Sequence, residues 1–438
     1  MKQAMKQTMT QRLNRSGTLG CVFLLSGVCS MAGSDDSFFL RGATIHTVSG
    51  ADIPNGSILV RDGKIIGVGQ KLAAPKDIRI VDAKGLHVYP GMIDSATQIG
   101  LSEIGAVRET SDALEIGNFN PELRAAIAVN PSSEHIPVAR ANGITTVISL
   151  PDGSLLAGQA SLMHLDGWTT EEMEVRRSAG MHLHMPVIRT LPSRFPESSA
   201  ALTPYSEAKK TYDKQMQELD EFFESARRYQ KSKSAKQPDF RPDLKMEAML
   251  PVLDRQEPLF VTALKEREIR AAIHFAGKQN IRMILAQAPE AWKVADELKK
   301  KDIPVILGAT LALPLNEDDP YDRPATTPAD LYKAGVKFAF GSFSTQFTRN
   351  LPYQAATAVA YGLPHDEALK AVTLNAAQIW GIADQLGSID EGKWADLMIT
   401  DGDPLETQTQ VKQLFIKGKS VNLDNKHRRL YEKYLNRP

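Results

Sequence analysis

Four apolar runs in the middle of the chain constrain the fold more than any other feature: "PLFVTA" from Pro258, "RMILAQA" from Arg282, "IPVILGA" from Ile303 and "KFAFGSF" from Lys337. Each is continuous rather than alternating, as strands buried on both faces are, and such strands belong to parallel sheets. Helical stretches separate them, at Glu266–Lys278, Ala291–Lys300 and near Pro328–Ala334. "ITTVISL" (Ile144–Leu150) is a further strand of the same kind. Strand–helix alternation predicts an α/β fold with the strands closed into a distorted TIM (β/α)8 barrel, a parallel one.

The ends follow another rhythm. "SILVRDGKIIGVG" is two apolar runs around Asp62-Gly63, a hairpin signal because both turn positions need positive φ. "ADLMIT" and "LFIKGKSVNL" repeat that pattern near the C-terminus, punctuated by Asp401-Gly402 and Gly418. A chain of 438 residues suits a barrel plus a smaller module. The division expected is a leader at 1–32, the first part of a β-sandwich at 38–90, the barrel at 91–389, and the rest of the sandwich with a tail at 390–438. A charged insertion interrupts the barrel at 203–238. There Leu219, Phe222, Phe223, Ala226 and Tyr229 fall at helical spacing, which predicts a helix packed on the barrel's outside.

The leader carries Lys2, Lys6, Arg12 and Arg15, then the apolar run "TLGCVFLLSGVCSMA" and a small-x-small pattern at Ser30-Met31-Ala32. It reads as a secretory signal peptide, so the mature protein is expected to be exported, periplasmic or secreted, with no membrane contact after cleavage. Both cysteines, Cys21 and Cys29, lie in it, leaving no thiolate metal site and no disulfide. Its removal takes four of 52 basic residues and none of the 52 acidic ones. A slightly acidic chain gives no electrostatic reason to bind nucleic acid.

"NGSILVRDGKIIGVG" with "IVDAKGLHVYPGMID", and "VTLNAAQIWGIADQLGSIDEGKWADLMITDGDPL", together resemble the two ends of the amidohydrolase superfamily, closest to its imidazolonepropionase-like and prolidase-like members. The resemblance implies a barrel joined to a sandwich built from both termini, often as a dimer. It also implies hydrolysis of non-peptide C–N bonds by a metal-activated water, the ion usually zinc. The family's ligands are His-x-His after the first barrel strand, a histidine after each of the fifth and sixth, and an aspartate after the eighth. Carried onto this chain, those positions are Ala96, Gln98, Thr262, Gln287 and Phe343. None offers an imidazole, thiolate or carboxylate.

Register slips do not restore the set. Between Met185 and Pro364 the one histidine is His274, off the buried stripe Ile269, Ala272, Ile273 and Ala276 of its helix. Between Leu331 and His365 there is no acidic residue. The expectation is therefore a family member without a metal cofactor. It would be catalytically degenerate, acting as companion to an intact amidohydrolase or as a small-molecule binder. The alternative is an active hydrolase with a non-standard site. "GMHLHMPV" places His182 and His184 one residue apart, with His164 upstream, and a metal-free acid–base pair is the other route. Polar residues expected around the mouth include Glu103, Lys265, Glu266, Ser342 and Ser344. No His-Glu-x-x-His, phosphate loop, dinucleotide fingerprint or G-x-S-x-G elbow occurs.

Overall fold

A computed structural model of the chain describes residues 36–153, 155–190, 203–236 and 239–437. The expected leader lies outside them. Two eight-stranded sheets carry the fold. The first begins with β1 (Phe38–Ile45), β2 (Ile53–Arg61), β3 (Lys64–Gly69), β4 (Arg79–Asp82) and β5 (His87–Pro90). Asp62 and Gly63 join β2 to β3 with φ of 50° and 74°, the hairpin geometry expected of that pair.

The barrel strands follow: β6 (Met92–Thr97), β7 (Ile144–Ser149), β8 (Leu156–His164), β9 (Glu174–His184), β10 (Leu259–Ala263), β11 (Met283–Gln287), β12 (Val305–Leu307) and β13 (Phe338–Phe340). They neighbour one another in chain order. The seam between β13 and β6 is drawn together by Phe343 N donating to the Ala96 carbonyl at 2.7 Å. Ser342 N also donates to Asp94 Oδ1 at 3.0 Å.

One strand departs from the all-parallel expectation: β8 runs antiparallel to both β7 and β9. The cause is length. Only residues 150–155 separate β7 from β8, and a parallel crossover needs about a dozen or more. The β8–β9 link, with its single helical turn Thr170–Met173, is also too short to return the chain.

The sheet of the ends is completed by β14 (Leu397–Thr400), β15 (Val411–Ile416) and β16 (Lys419–Val421), with β14 hydrogen-bonded to β5. Phe38 of β1 stacks on Phe415 of β15 at 4.5 Å, so the sheet folds over its own apolar core, as a sandwich does. In the barrel, Ile93, Ile148, Leu162, Phe260, Ile284 and Ile306 fill the interior. Intervening residues such as Leu183, Val261 and Leu285 face the helical layer. The charged insertion is a helix at Tyr205–Ser234. It lies outside the barrel: Phe223 meets Phe275 edge-on at 5.1 Å and Phe222 stacks on Phe119 at 4.6 Å. Among the described residues no helix is long and apolar enough to cross a membrane.

Candidate functional site at the barrel mouth

The C-terminal ends of parallel barrel strands present side chains to one mouth. β9 ends with His182 and His184 two residues apart and so on one face, while Met181 and Leu183 join the outer core. The register of β9 and β10 sets His182 beside Phe260 and His184 beside Thr262. The two imidazoles are 4.3 Å apart, centre to centre.

His182 is buried and both its nitrogens are engaged. Nδ1 is 2.7 Å from the Pro151 carbonyl, and Nε2 is 3.0 Å from Thr262 Oγ1. A carbonyl can only accept, so Nδ1 carries the proton and Nε2 accepts from the Thr262 hydroxyl. Burial, with His184 alongside, lowers the His182 pKa to about 3. The Thr262–His182 pair therefore resembles a nucleophile and its base only in outline. Protonating such an imidazole at pH 7 costs roughly 5 kcal/mol, so it is a poor proton acceptor.

His184 is the more accessible of the two. Its Nε2 lies 3.1 Å from Asp152 Oδ1. Burial would raise the Asp152 pKa, but the contacts with His184 and the Gly153 amide outweigh it and hold the pKa at about 2. Gln98 reaches the other carboxylate oxygen at 3.4 Å. One polar chain thus links the ends of β6, β7 and β9. Asp152 and His184 line a cavity of about 580 Å3 together with Arg189, Thr211, Gln215 and Thr262. That volume suits a small organic ligand. Asp152 was not among the residues expected from the sequence. Its signal is a carboxylate just past a fully buried barrel strand, in "ITTVISLPDG".

The other expected residues are placed as follows. Ala96 is fully buried in the barrel interior. Gln287 ends β11 and Phe343 lies three residues past β13, with φ of 62° and 48°, an uncommon conformation for side-chain-bearing residues and one found in strained sites. The Phe343 ring stacks toward Phe260 at 6.3 Å. Glu103 is committed to the next helix, accepting from Ser133 Oγ and Glu134 N. Lys265 is the N-cap of the helix Glu266–Gln279, and Glu266 pairs with Arg270. Ser342 and Ser344 join Thr97 and Thr348 in a knot of hydroxyl and carbonyl contacts beside the β6–β13 seam. His164 belongs to the opposite end of the barrel, 3.1 Å from the buried Asp396. A larger cleft of about 920 Å3 opens there; of the cations that line it, Arg140 and Arg429 already face Asp166, Asp424 and Glu134, while Lys417 lies over the Trp394 ring. His274 is exposed on its helix.

A second unexpected residue is Asp94. It is fully buried, and burial pushes its pKa up to about 7 despite hydrogen bonds from Ser342 and Ala96. It sits under the mouth and ties β6 to the seam.

The amidohydrolase family profile matches residues 321–421. An amidohydrolase solved from Thermotoga maritima is 28% identical, with a TM-score of 0.77, covering 88% of this chain and 99% of that one. The chain belongs to the amidohydrolase superfamily. An imidazolonepropionase of Caldanaerobacter subterraneus is 24% identical over 81% of this chain and 86% of its own. The amidohydrolase tasK of Hapsidospora irregularis is 24% identical over 83% of this chain, a match that spans 39% of tasK.

Amidohydrolases are usually metal-dependent, so the donor set at the mouth is the decisive test. The strand-end positions that the resemblance assigns to the ligands do not fit an ion: Ala96 is an apolar core methyl and Phe343 an aromatic ring. The neighbouring histidines do not replace them, since both nitrogens of His182 are taken. Among the described residues no three His, Cys, Asp or Glu side chains are gathered as a metal would require.

Proposed function

We propose that this amidohydrolase-family barrel binds a small amide- or peptide-like molecule at its mouth and has lost the family's metal-centred hydrolysis. The observation that carries the reading is the exchange of donors at one rim. The β6 and β13 ends offer Ala96 and Phe343, while Asp152 and His184 line the adjoining cavity. An anionic carboxylate beside an imidazole can orient an amine or amide N–H and its carbonyl. In this role the protein is the exported companion of an intact amidohydrolase, presenting or retaining the ligand.

The test is elemental mass spectrometry of protein dialysed against metal-free buffer, with thermal-shift titration of cyclic amides, N-acyl amino acids and dipeptides. Less than about a tenth of an equivalent of zinc, iron or manganese, with saturable binding lost in Asp152→Ala, supports the reading. About one equivalent of metal that disappears in His184→Ala sinks it. The second reading is metal-free hydrolysis with His184 and Asp152 as the acid–base pair, favoured by their contact at the cavity wall. It requires turnover of the bound amide that Asp152→Asn abolishes without abolishing binding.

A further inference from the structure

At the end of the barrel opposite the mouth, a cation stands in front of each of four consecutive strands. Arg282 directly precedes β11 and Lys337 directly precedes β13, while Arg255 and Lys301 lie in the turns before β10 and β12. These four line a cavity of about 540 Å3 whose apolar lining includes the buried Ile273, Ile281, Met283 and Ile379. A second cavity of about 420 Å3 adjoins it, sharing Asp302 and Lys337 and adding Lys299. The chain as a whole is balanced, with 52 basic and 52 acidic residues, so this excess is local.

None of the five cations meets a carboxylate among the described residues. Arg255 Nη1 donates to Asn280 Oδ1 at 2.8 Å and Lys337 Nζ to Gln378 Oε1 at 2.9 Å. Arg282 Nη1 reaches the Arg255 and Gln256 carbonyls at 3.5 and 3.3 Å, both long contacts. Two acids line the trough. Glu367 is taken by Lys370 at 2.8 Å, and Asp302 is exposed and makes no ion pair among the described residues. Around it, Lys278 is bound to Asp220, Asp254 accepts from Gln230, and Glu257 accepts from Ser178. Lys299 and Lys301 stand at the C-terminal end of the helix Ala295–Lys300, where a cation favours the helix dipole. Arg255, Arg282 and Lys337 lie outside the helices, so capping does not account for them.

A concave wall of one sign focuses its field on an opposite charge. We propose that this trough is a binding site for a phosphate-bearing anion, either a soluble organic phosphate or a lipid headgroup. A phosphate ester carries about two negative charges where a carboxylate carries one, which suits two guanidinium forks and three ammonium groups. The apolar lining beneath the cations accepts the organic part of such a ligand. The site is separate from the mouth and does not depend on what Asp152 and His184 bind.

Isothermal titration of the whole chain with inorganic pyrophosphate tests this, beside flotation with vesicles of phosphatidylglycerol or phosphatidylcholine. Pyrophosphate should bind saturably, and less tightly as salt is added. Arg282→Gln with Lys337→Gln should weaken it at least about tenfold, with the thermal midpoint of the unliganded protein unchanged. Asp302→Asn should tighten it by about threefold, because it removes the one unpaired acid, an effect that helix capping does not predict. Pyrophosphate binding without flotation identifies a soluble phosphate. Flotation with phosphatidylglycerol alone, competed by pyrophosphate, identifies a lipid headgroup. Neither binding nor flotation, an affinity untouched by the double variant or by Asp302→Asn, or citrate binding as tightly as pyrophosphate would each overturn the proposal.

Discussion

The ends of β6 and β9 make the same geometric offer and fill it differently. On both, alternate residues run up to the mouth: Asp94, Ala96 and Gln98 on one, Gly180, His182 and His184 on the other. The β6 end has become structural. Its carboxyl is buried under the seam and its middle position is a core methyl. The β9 end keeps two imidazoles, yet only the outer one contacts the open cavity, because Pro151 and Thr262 occupy the inner one. A His-x-His spacing aims two side chains together, but the groups opposite decide whether they are free to act.

That contrast can be broken most forcefully by Ala96→His, which places an imidazole where the resemblance puts a family ligand. The space is gone: a Cβ placed on Gly341 would lie 2.8 Å from the Ala96 methyl. Overpacking plus a buried imidazole should cost about 3 kcal/mol or more in denaturant unfolding, with no gain in bound zinc. His182→Ala should cost roughly 2–3 kcal/mol, since it orphans the Pro151 carbonyl and opens a cavity.

Asp94→Asn sharpens the comparison through pH. The folded pKa near 7 lies above the ordinary value of 3.8, so folded protein holds a proton that unfolded chain has lost. Wild-type stability should therefore fall relative to the variant by about 1.4 kcal/mol per pH unit as pH rises across that window, and level off above it. His182 acts in the opposite sense. Its folded pKa of about 3 makes stability fall as pH drops below the ordinary 6.5, and His182→Ala should flatten that slope in urea titrations at stepped pH. The smallest effect belongs to Gln98→Ala. Its 3.4 Å contact is long, so a loss within about 0.5 kcal/mol is expected, with ligand affinity at the cavity the more sensitive readout.

The barrel was legible in the sequence because burial on both faces leaves a local mark, the unbroken apolar run. "RMILAQA" and "KFAFGSF" declare themselves without knowledge of their neighbours. The helix Tyr205–Ser234 was legible for the same reason, since its stripe repeats within one element. The reversal of β8 was not, because strand direction depends on the lengths of two linkers rather than on the residues of "LAGQASLMH". Asp152 was missed because Pro-Asp-Gly reads locally as a turn. Its pairing with His184 arises only when β7 and β9 are brought to one rim. Glu103 and Lys265 look like mouth residues by position, and local capping and hydrogen bonding claim them instead.

The bonding of β14 to β5 joins residues 397–400 to residues 87–90. Closing so long a loop in an open chain costs on the order of 5 kcal/mol in entropy, more than a pair of four-residue strands returns. A barrel already closed removes most of that cost, because the helices after its last strand return the chain to the end where its first strand begins, with Ile93 N bonded to Val372 O and Gly91 N to Asp396 O. The terminal sheet is therefore a late clasp rather than an independent module. During synthesis, β1 to β5 must wait with their inner edge unpaired until nearly the whole chain has emerged, and a ribosome that stalls inside the barrel leaves that edge exposed to its neighbours.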